Sequence, residues 1–224
     1  MVILDFNDVK GNALVEELGS NLAFYKVDIT NTEEVQAAID FTINKFGSLE
    51  IVVNCAGIAP GMKTASKKGP HDISLFKRAV DINLIGTFDI CRLAAYKMLN
   101  NEPNETGERG VIINTASIAA FEGQIGQAAY AASKAGIVGL TICMARDLAT
   151  DGIRVCTIAP GLFNTPMMAA LPEDVKIELA KRVPFPSRLG DPAEFAMLAQ
   201  HIIENSMLNG ETIRLDGALR MTPR

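Results

Sequence analysis

Short, continuous apolar runs alternate along this chain with longer stretches whose apolar positions return at helical spacing. A short run reads as a buried strand and the longer pattern as a helix packed against a sheet. Val2–Phe6 is the first predicted strand, and Gly19 ends a helix over 8–18. Leu22–Val27 is the second strand. Thr30, with Glu33 and Glu34 behind it, is the expected N-cap of a helix over 32–46 that Gly47 closes. Ile51–Asn54 is a strand that opens into Cys55-Ala56-Gly57, and a loop rich in Gly, Lys and Pro follows over 58–71. A long helix over about 73–100 carries Asn83 and Gly86 and gives way to a polar loop over 101–110. Strand 111–116, a helix over about 127–149, strand Arg154–Ile158, a mixed stretch over 162–190 with a helix near 173–182, a helix over 192–204 and strand Glu211–Leu215 complete the pattern. Alternating strands and helices predict an α/β fold with a doubly wound, mostly parallel sheet. No repeat, low-complexity tract or linker interrupts residues 1–224, so a single domain is expected.

Composition removes some function classes. Hydrophobic residues make up 48% of the chain, an ordinary globular value. The net charge of -5 and the lack of Lys/Arg runs beyond Lys67-Lys68 speak against direct nucleic-acid binding. Cys55, Cys91, Cys143 and Cys156 have no metal-ligand spacing and lie in apolar segments, so four buried free thiols and no metal site are expected. His71 and His201 read as a loop and a helix residue. No membrane-spanning stretch of roughly 18 apolar residues is expected, and no signal or transit peptide is legible at the N-terminus.

The chemistry concentrates around Tyr130-Ala-Ala-Ser-Lys134, with Ser117 thirteen residues before the tyrosine. Residues four apart share a helix face, so the lysine stands beside the phenol. A nearby positive charge favours phenolate and should lower the tyrosine pKa from about 10. Such a phenol can exchange a proton with a carbonyl or alcohol. Ser117 follows the apolar run Val111–Ala116, and open α/β sheets hold ligands at the C-terminal ends of their strands. Three further motifs accompany this set: Asn54-Cys55-Ala56-Gly57 after one strand, Asn83 in the long helix, and Pro160-Gly161 after another strand.

In this order, the motifs resemble the short-chain dehydrogenase/reductase family from residue 2 to the C-terminus. The resemblance implies a Rossmann-type sheet and NAD(P)-linked conversion of an alcohol to a ketone. Tyr130 would be the general acid/base. Lys134 would tune it and bond the nicotinamide ribose. Ser117 would hold the substrate oxygen, and Asn83 a water for proton relay. Asp5, ending the first strand with no arginine after it, would bond the adenosine ribose and select NAD over NADP. Asp28 and Ile29 would meet the adenine, and Asn54, Cys55, Ala56 and Gly57 would let the backbone approach the cofactor. Cys55 reads as a packed small residue, not a nucleophile. Pro160, Gly161, Leu162, Phe163 and Thr165 would contact the nicotinamide amide and bridge phosphate. The segments 112–124, 183–192 and 213–218, with the polar insertions 62–71 and 101–110, resemble the branch of the family that oxidises short or branched 3-hydroxyacyl-CoA thioesters and also steroid alcohols. Gln124 would then line the substrate pocket. The same branch implies a homotetramer, and the mitochondrial matrix if the source is an animal.

The family also opens with a strand, a Gly-x-x-x-Gly-x-Gly turn and a helix that cradle the pyrophosphate. Gly11 and Gly19 do not supply that turn. The expectation is a sheet lacking its first strand and helix, in which strands 2–6 and 22–27 have no hydrogen-bonded link to strand 51–54. The chain would be either a piece of a longer protein or a truncated form with an impaired fold. A noncatalytic scaffold role, as in the tRNA processing served by animal members of this branch, stays open as the alternative. A fatty-acid ketoacyl reductase is a third reading, which Asp5 opposes because those enzymes usually take NADP.

Overall fold

The backbone ladder is divided. In the computed structural model, which describes residues 1–19, 21–169 and 172–223, strand β1 (Val2–Asp5) is followed by helix α1 (Asp8–Leu18), and both precede β2 (Ala23–Lys26). β1 pairs in parallel with β2. After helix α2 (Thr32–Phe46), strand β3 (Ile51–Asn54) starts a second ladder. A small antiparallel pair, β4 (Ala65–Ser66) and β5 (Gly69–Pro70), stands inside the predicted 58–71 loop. Helices α3 (Ile73–Val80) and α4 (Thr87–Met98) lead to β6 (Gly110–Thr115), and helix α5 (Ala128–Asp147) leads to β7 (Ile153–Pro160). Helices α6 (Pro166–Ala169), α7 (Glu173–Lys181) and α8 (Pro192–Glu204) precede β8 (Thr212–Leu215). Residues 170 and 171 of the predicted mixed stretch lie outside the described residues. The second sheet is all parallel in the order β3-β6-β7-β8. The α/β, doubly wound, Rossmann-type architecture expected from the pattern is the one observed.

The expected break in the ladder is also present, because among the described residues β1 pairs only with β2 and β3 only with β6. Helix packing joins the two units instead. Val35, Ala38 and Ile39 of α2 meet Ile90 and Ala94 of α4 in one apolar cluster, with Leu4 of β1, Tyr25 of β2 and Val52 of β3 against it. The opposite face of β3 is open: Ile51 is 44% and Val53 40% exposed. By contrast, Val111, Ile113, Cys156 and Ile158 of β6 and β7 are closed in by α8. Burial of apolar surface supplies the main stabilising term on both sides, but only the larger sheet adds a continuous central ladder to it.

Several local expectations change. Asn31, not Thr30, caps α2: its side chain accepts from Glu33 and Glu34 backbone N–H groups, while Thr30 turns its hydroxyl and N–H to Asp28. The long helix over 73–100 is two α-helices around a π-helical turn at Asp81–Gly86, a geometry that turns side chains off the regular spacing. Strand β7 is longer than predicted, because Ala159 and Pro160 continue the pairing with β8; Arg154 within it is neutralised where it is buried. It pairs with Glu108 and donates to the carbonyls of Ile202, Ile203, Asn205 and Leu208, tying β7 to the end of α8. Of the four thiols, Cys91 and Cys156 are buried, but Cys55 and Cys143 are exposed. α5 is long and apolar enough to cross a bilayer by length and composition, contrary to the sequence expectation. Here it packs on β7, α3 and the turn after β6, and its outward side carries Ala132, Ala135, Gly139 and Ile142.

Loss of ladder continuity should appear as uneven opening. Backbone amides of β1 and β2 are expected to exchange roughly ten-fold or more faster than those of β6 and β7. Hydrogen-exchange mass spectrometry checks this, and equal protection of both units would contradict it.

Candidate active site

β6 ends at Thr115, and the chain turns at once into a 3-10 turn, Ile118–Ala120. Ser117 caps that turn: its hydroxyl accepts from the Ala119 N–H at 3.1 Å. The side chain is buried. α5 then carries Tyr130 and Lys134 back across the end of the strand and sets the Tyr130 phenol beside the Ser117 side chain. Helical spacing and strand end therefore bring Ser117, Tyr130 and Lys134 together as the sequence predicts.

Their electrostatics differ from the prediction. Burial pushes the Tyr130 phenol above its ordinary value, and the Ser117 hydrogen bond offsets this only in part. Lys134 does not act on the phenol as expected, because its ammonium turns to the strand and donates to the Thr115 carbonyl at 2.7 Å. Lys134 is itself buried, and desolvation pushes its pKa down to about 8, with only the Cys55 thiol opposing. Loss of solvation penalises each charged form, so phenol and amine are driven towards their neutral forms.

Asn83 occupies the π-helical turn and is fully buried. Its Oδ1 accepts from the Ile58 N–H at 2.8 Å. Its Nδ2 donates to the Ile58 carbonyl at 2.8 Å and to the Ser133 Oγ at 2.9 Å. Both amide hydrogens are thus committed to tying the loop after β3 to α5. Gly57 in that loop has little spare room: a Cβ there would stand 3.2 Å from Asn83 Oδ1 and 3.4 Å from Lys134 Nζ. Ala56 lies beside it in the same loop. The Cys55 sulfur is 3.9 Å from the Thr115 hydroxyl. Desolvation raises its thiol pKa even though part of its surface is exposed, which makes it a poor nucleophile.

The other predicted residues fall into three groups. Asp5 ends β1 with an exposed carboxylate, one oxygen of which accepts from the Asn7 N–H at 2.8 Å. Asp28 accepts from the Thr30 N–H and hydroxyl, which hold its carboxyl below the usual range. With Ile29, it lines a cleft of about 600 Å³ beside the π-helical turn. Beyond β7, Pro160 leads into Gly161, where a Cβ would meet Asp216 at 2.9 Å. Phe163 forms a bridge with Gly190, and the Thr165 N–H returns to the Phe163 carbonyl. Two side chains have partners that the sequence did not indicate. The Asn54 side chain points into the protein, donating to Asn114 Oδ1 at 2.9 Å and to the Cys91 sulfur at 3.4 Å. Gln124 donates its side-chain N–H to the Thr222 carbonyl at 3.0 Å.

Sequence reading missed two groups. One is the buried Asn54–Asn114–Cys91 cluster, whose burial pushes the Cys91 thiol up to about 12; Asn114 Nδ2 lacks a hydrogen-bond partner there. The other is an ionic group of Glu122, Arg214, Asp216 and Arg220. Neither has a local signal: Asn54, Cys91 and Asn114 are far apart along the chain, and Glu122 lies 92 residues from Arg214.

The lysine gives a signed pH effect. Its folded pKa of about 8 lies below the ordinary 10.5, so between these values the unfolded chain binds more protons. Stability should therefore rise with pH across that window, and no gain from this group remains below it. Lys134→Met should flatten the rise. Thermal unfolding of both proteins from pH 7 to 10.5 is the measurement, and parallel curves would contradict the assignment.

Comparison with known proteins agrees with this geometry. The short chain dehydrogenase family matches residues 1–176. The chain is 56% identical to 3-hydroxyacyl-CoA dehydrogenase type-2 of Drosophila melanogaster, over all of this chain and 88% of that protein. It is 58% identical to the Homo sapiens protein of the same name, over 99% of this chain and 86% of that one. The crystal structure of 3-hydroxyacyl-CoA dehydrogenase type-2 from Mycobacterium avium superposes with a TM-score of 0.95 at 45% identity, covering all of this chain and 87% of that chain. On family match, identity and structural likeness together, this chain belongs to the short-chain dehydrogenase family.

Proposed function

We propose that the protein interconverts a secondary alcohol and a ketone with NAD, acting on short-chain 3-hydroxyacyl-CoA thioesters and also on hydroxysteroids. The observation that carries this reading is the juxtaposition of Ser117 and Tyr130 above a buried Lys134 at the C-terminal end of β6. The names of the similar proteins support the thioester class.

The residues fit a dinucleotide at several points. The exposed Asp5 carboxylate suits ribose hydroxyls, the cleft beside Asp28 and Ile29 suits a flat base, and Gly57 and Gly161 leave the backbone uncovered near Lys134 and β7. When bound, the nicotinamide supplies the hydride acceptor or donor. The chain's own groups handle the proton. Ser117 holds the substrate oxygen by a hydrogen bond. In ketone reduction, Tyr130 gives its phenolic proton to that oxygen as the carbonyl becomes an alcohol. In oxidation, the Tyr130 oxygen takes the proton back. A phenol raised by burial is protonated at neutral pH, so the site is ready for reduction, and oxidation gains as the pH rises.

The outward faces of α4 and α5 support self-association as a tetramer. Phe88 and Tyr96 on α4, Leu99 just past its end and Ile142 on α5 are exposed apolar residues, the kind of surface an oligomer covers.

Tyr130→Phe removes the proton and keeps the ring. It should lower kcat for 3-hydroxybutyryl-CoA oxidation by about 10²-fold, with NAD affinity little changed. Retained activity would take Tyr130 out of this role. NAD should be strongly preferred over NADP, because the Asp5 carboxylate would face the 2′-phosphate as a like charge. Comparison of kcat/KM for the two cofactors tests this, and Asp5→Asn should narrow the preference.

A further inference from the structure

The loop that holds Ser117 is fastened at its far end by groups outside the Ser-Tyr-Lys set. The chain passes from Ser117 through the 3-10 turn to Phe121 and Glu122 before reaching α5. Glu122 takes both terminal nitrogens of Arg214, at 2.9 and 3.0 Å. Arg214 stands on β8, beside Ala159 of β7 in the register. Its Nε donates to Asp216 at 2.7 Å, and its Nη2 also donates to the Leu219 carbonyl at 3.0 Å. The guanidinium lies 5.1 Å from the centre of the Phe121 ring. Four N–H donations from one planar fork therefore join the Ser117 loop, the end of β8 and the C-terminal segment.

The C-terminal segment closes the circuit. The Met221 N–H donates to Glu122 at 3.2 Å, and the Ile125 N–H donates to the Pro223 carbonyl at 3.0 Å. Gln124 reaches the Thr222 carbonyl. Leu219 packs against Ile118 and Val183 in a small core, with Met221 beside it. Asp216, which the fork also grips, is the residue that a Cβ at Gly161 would strike. The loops after β6, β7 and β8 thus share one anchor. Arg214 and Glu122 are each about a quarter exposed or less, so the pair is more protected than a surface ion pair. A bidentate guanidinium–carboxylate pair fixes direction as well as distance.

We propose that Arg214 is the positioning residue of the catalytic-serine loop: through Glu122 and the C-terminal segment, it holds Ser117 in register with Tyr130. The rate consequence rests on the function proposed above; the clamp itself does not. Lysine at position 214 keeps the charge but loses the fork. Glutamine at position 122 keeps the shape but loses the charge.

The test compares wild type, Arg214→Lys, Glu122→Gln and the double variant. Two quantities are read: kcat and KM for 3-hydroxybutyryl-CoA and NAD, and amide exchange over residues 118–127. Each single change should lower kcat about ten-fold, on the sensitivity of reacting groups to small displacements, with the KM for NAD unchanged. The double variant should be no worse than the worse single one, because both remove one interaction. Exchange over 118–127 should quicken, while α5, β6 and β7 keep wild-type protection, which also reports that the variants fold. Additive kcat losses, or unchanged exchange over 118–127, would overturn the proposal. A wild-type protein inactive on every alcohol offered would overturn the proposed function instead, and the exchange arm would still decide the clamp.

Discussion

A buried ammonium bonded to a strand carbonyl sets the geometry of this site. Lys134 is only 5% exposed, and its bond to Thr115 joins the middle of α5 to the last residue of β6. Burying that amine is costly unless its hydrogen bonds are met, so the helix can sit on the strand in few ways. Tyr130, one turn earlier on α5, is thereby placed against Ser117, which follows the same strand. The lysine thus works first as a spacer between strand and helix.

Support for the two ends of the cleft is unequal. The Ser117–Tyr130 end rests on β6 and β7, whose residues are almost all buried and whose ladder continues to β3 and β8. The Asp5 and Asp28 end rests on the β1–β2 pair, joined to the rest through side chains of α2 and α4. Side-chain packing is non-directional, whereas a ladder fixes register and spacing. The groups proposed to handle the proton therefore sit on the more tightly specified half, and those proposed for the nucleotide on the other. Around the proton-handling half, the ionic group on Arg214 ties three loop ends that the strands leave independent.

Much of this was legible from sequence because its causes are local. Apolar runs and helical spacing placed nearly every element, and the four-residue interval of Tyr130 and Lys134 put them on one helix face. The order of the Asn54–Gly57, Asn83, Ser117, Tyr130–Lys134 and Pro160-Gly161 motifs marked the family, and the lack of its opening Gly-x-x-x-Gly-x-Gly turn marked the break in the ladder. Tertiary structure alone decided the rest. It turned Lys134 towards Thr115 and raised the Tyr130 pKa, since desolvation depends on everything packed around a group. It drew Asn54 inward to Asn114 and Cys91, tied Gln124 to Thr222, and brought Glu122 to Arg214, 92 residues away along the chain. Such contacts leave no periodic trace in a sequence, because they arise only when separate strands and loops are brought to the same edge of one sheet.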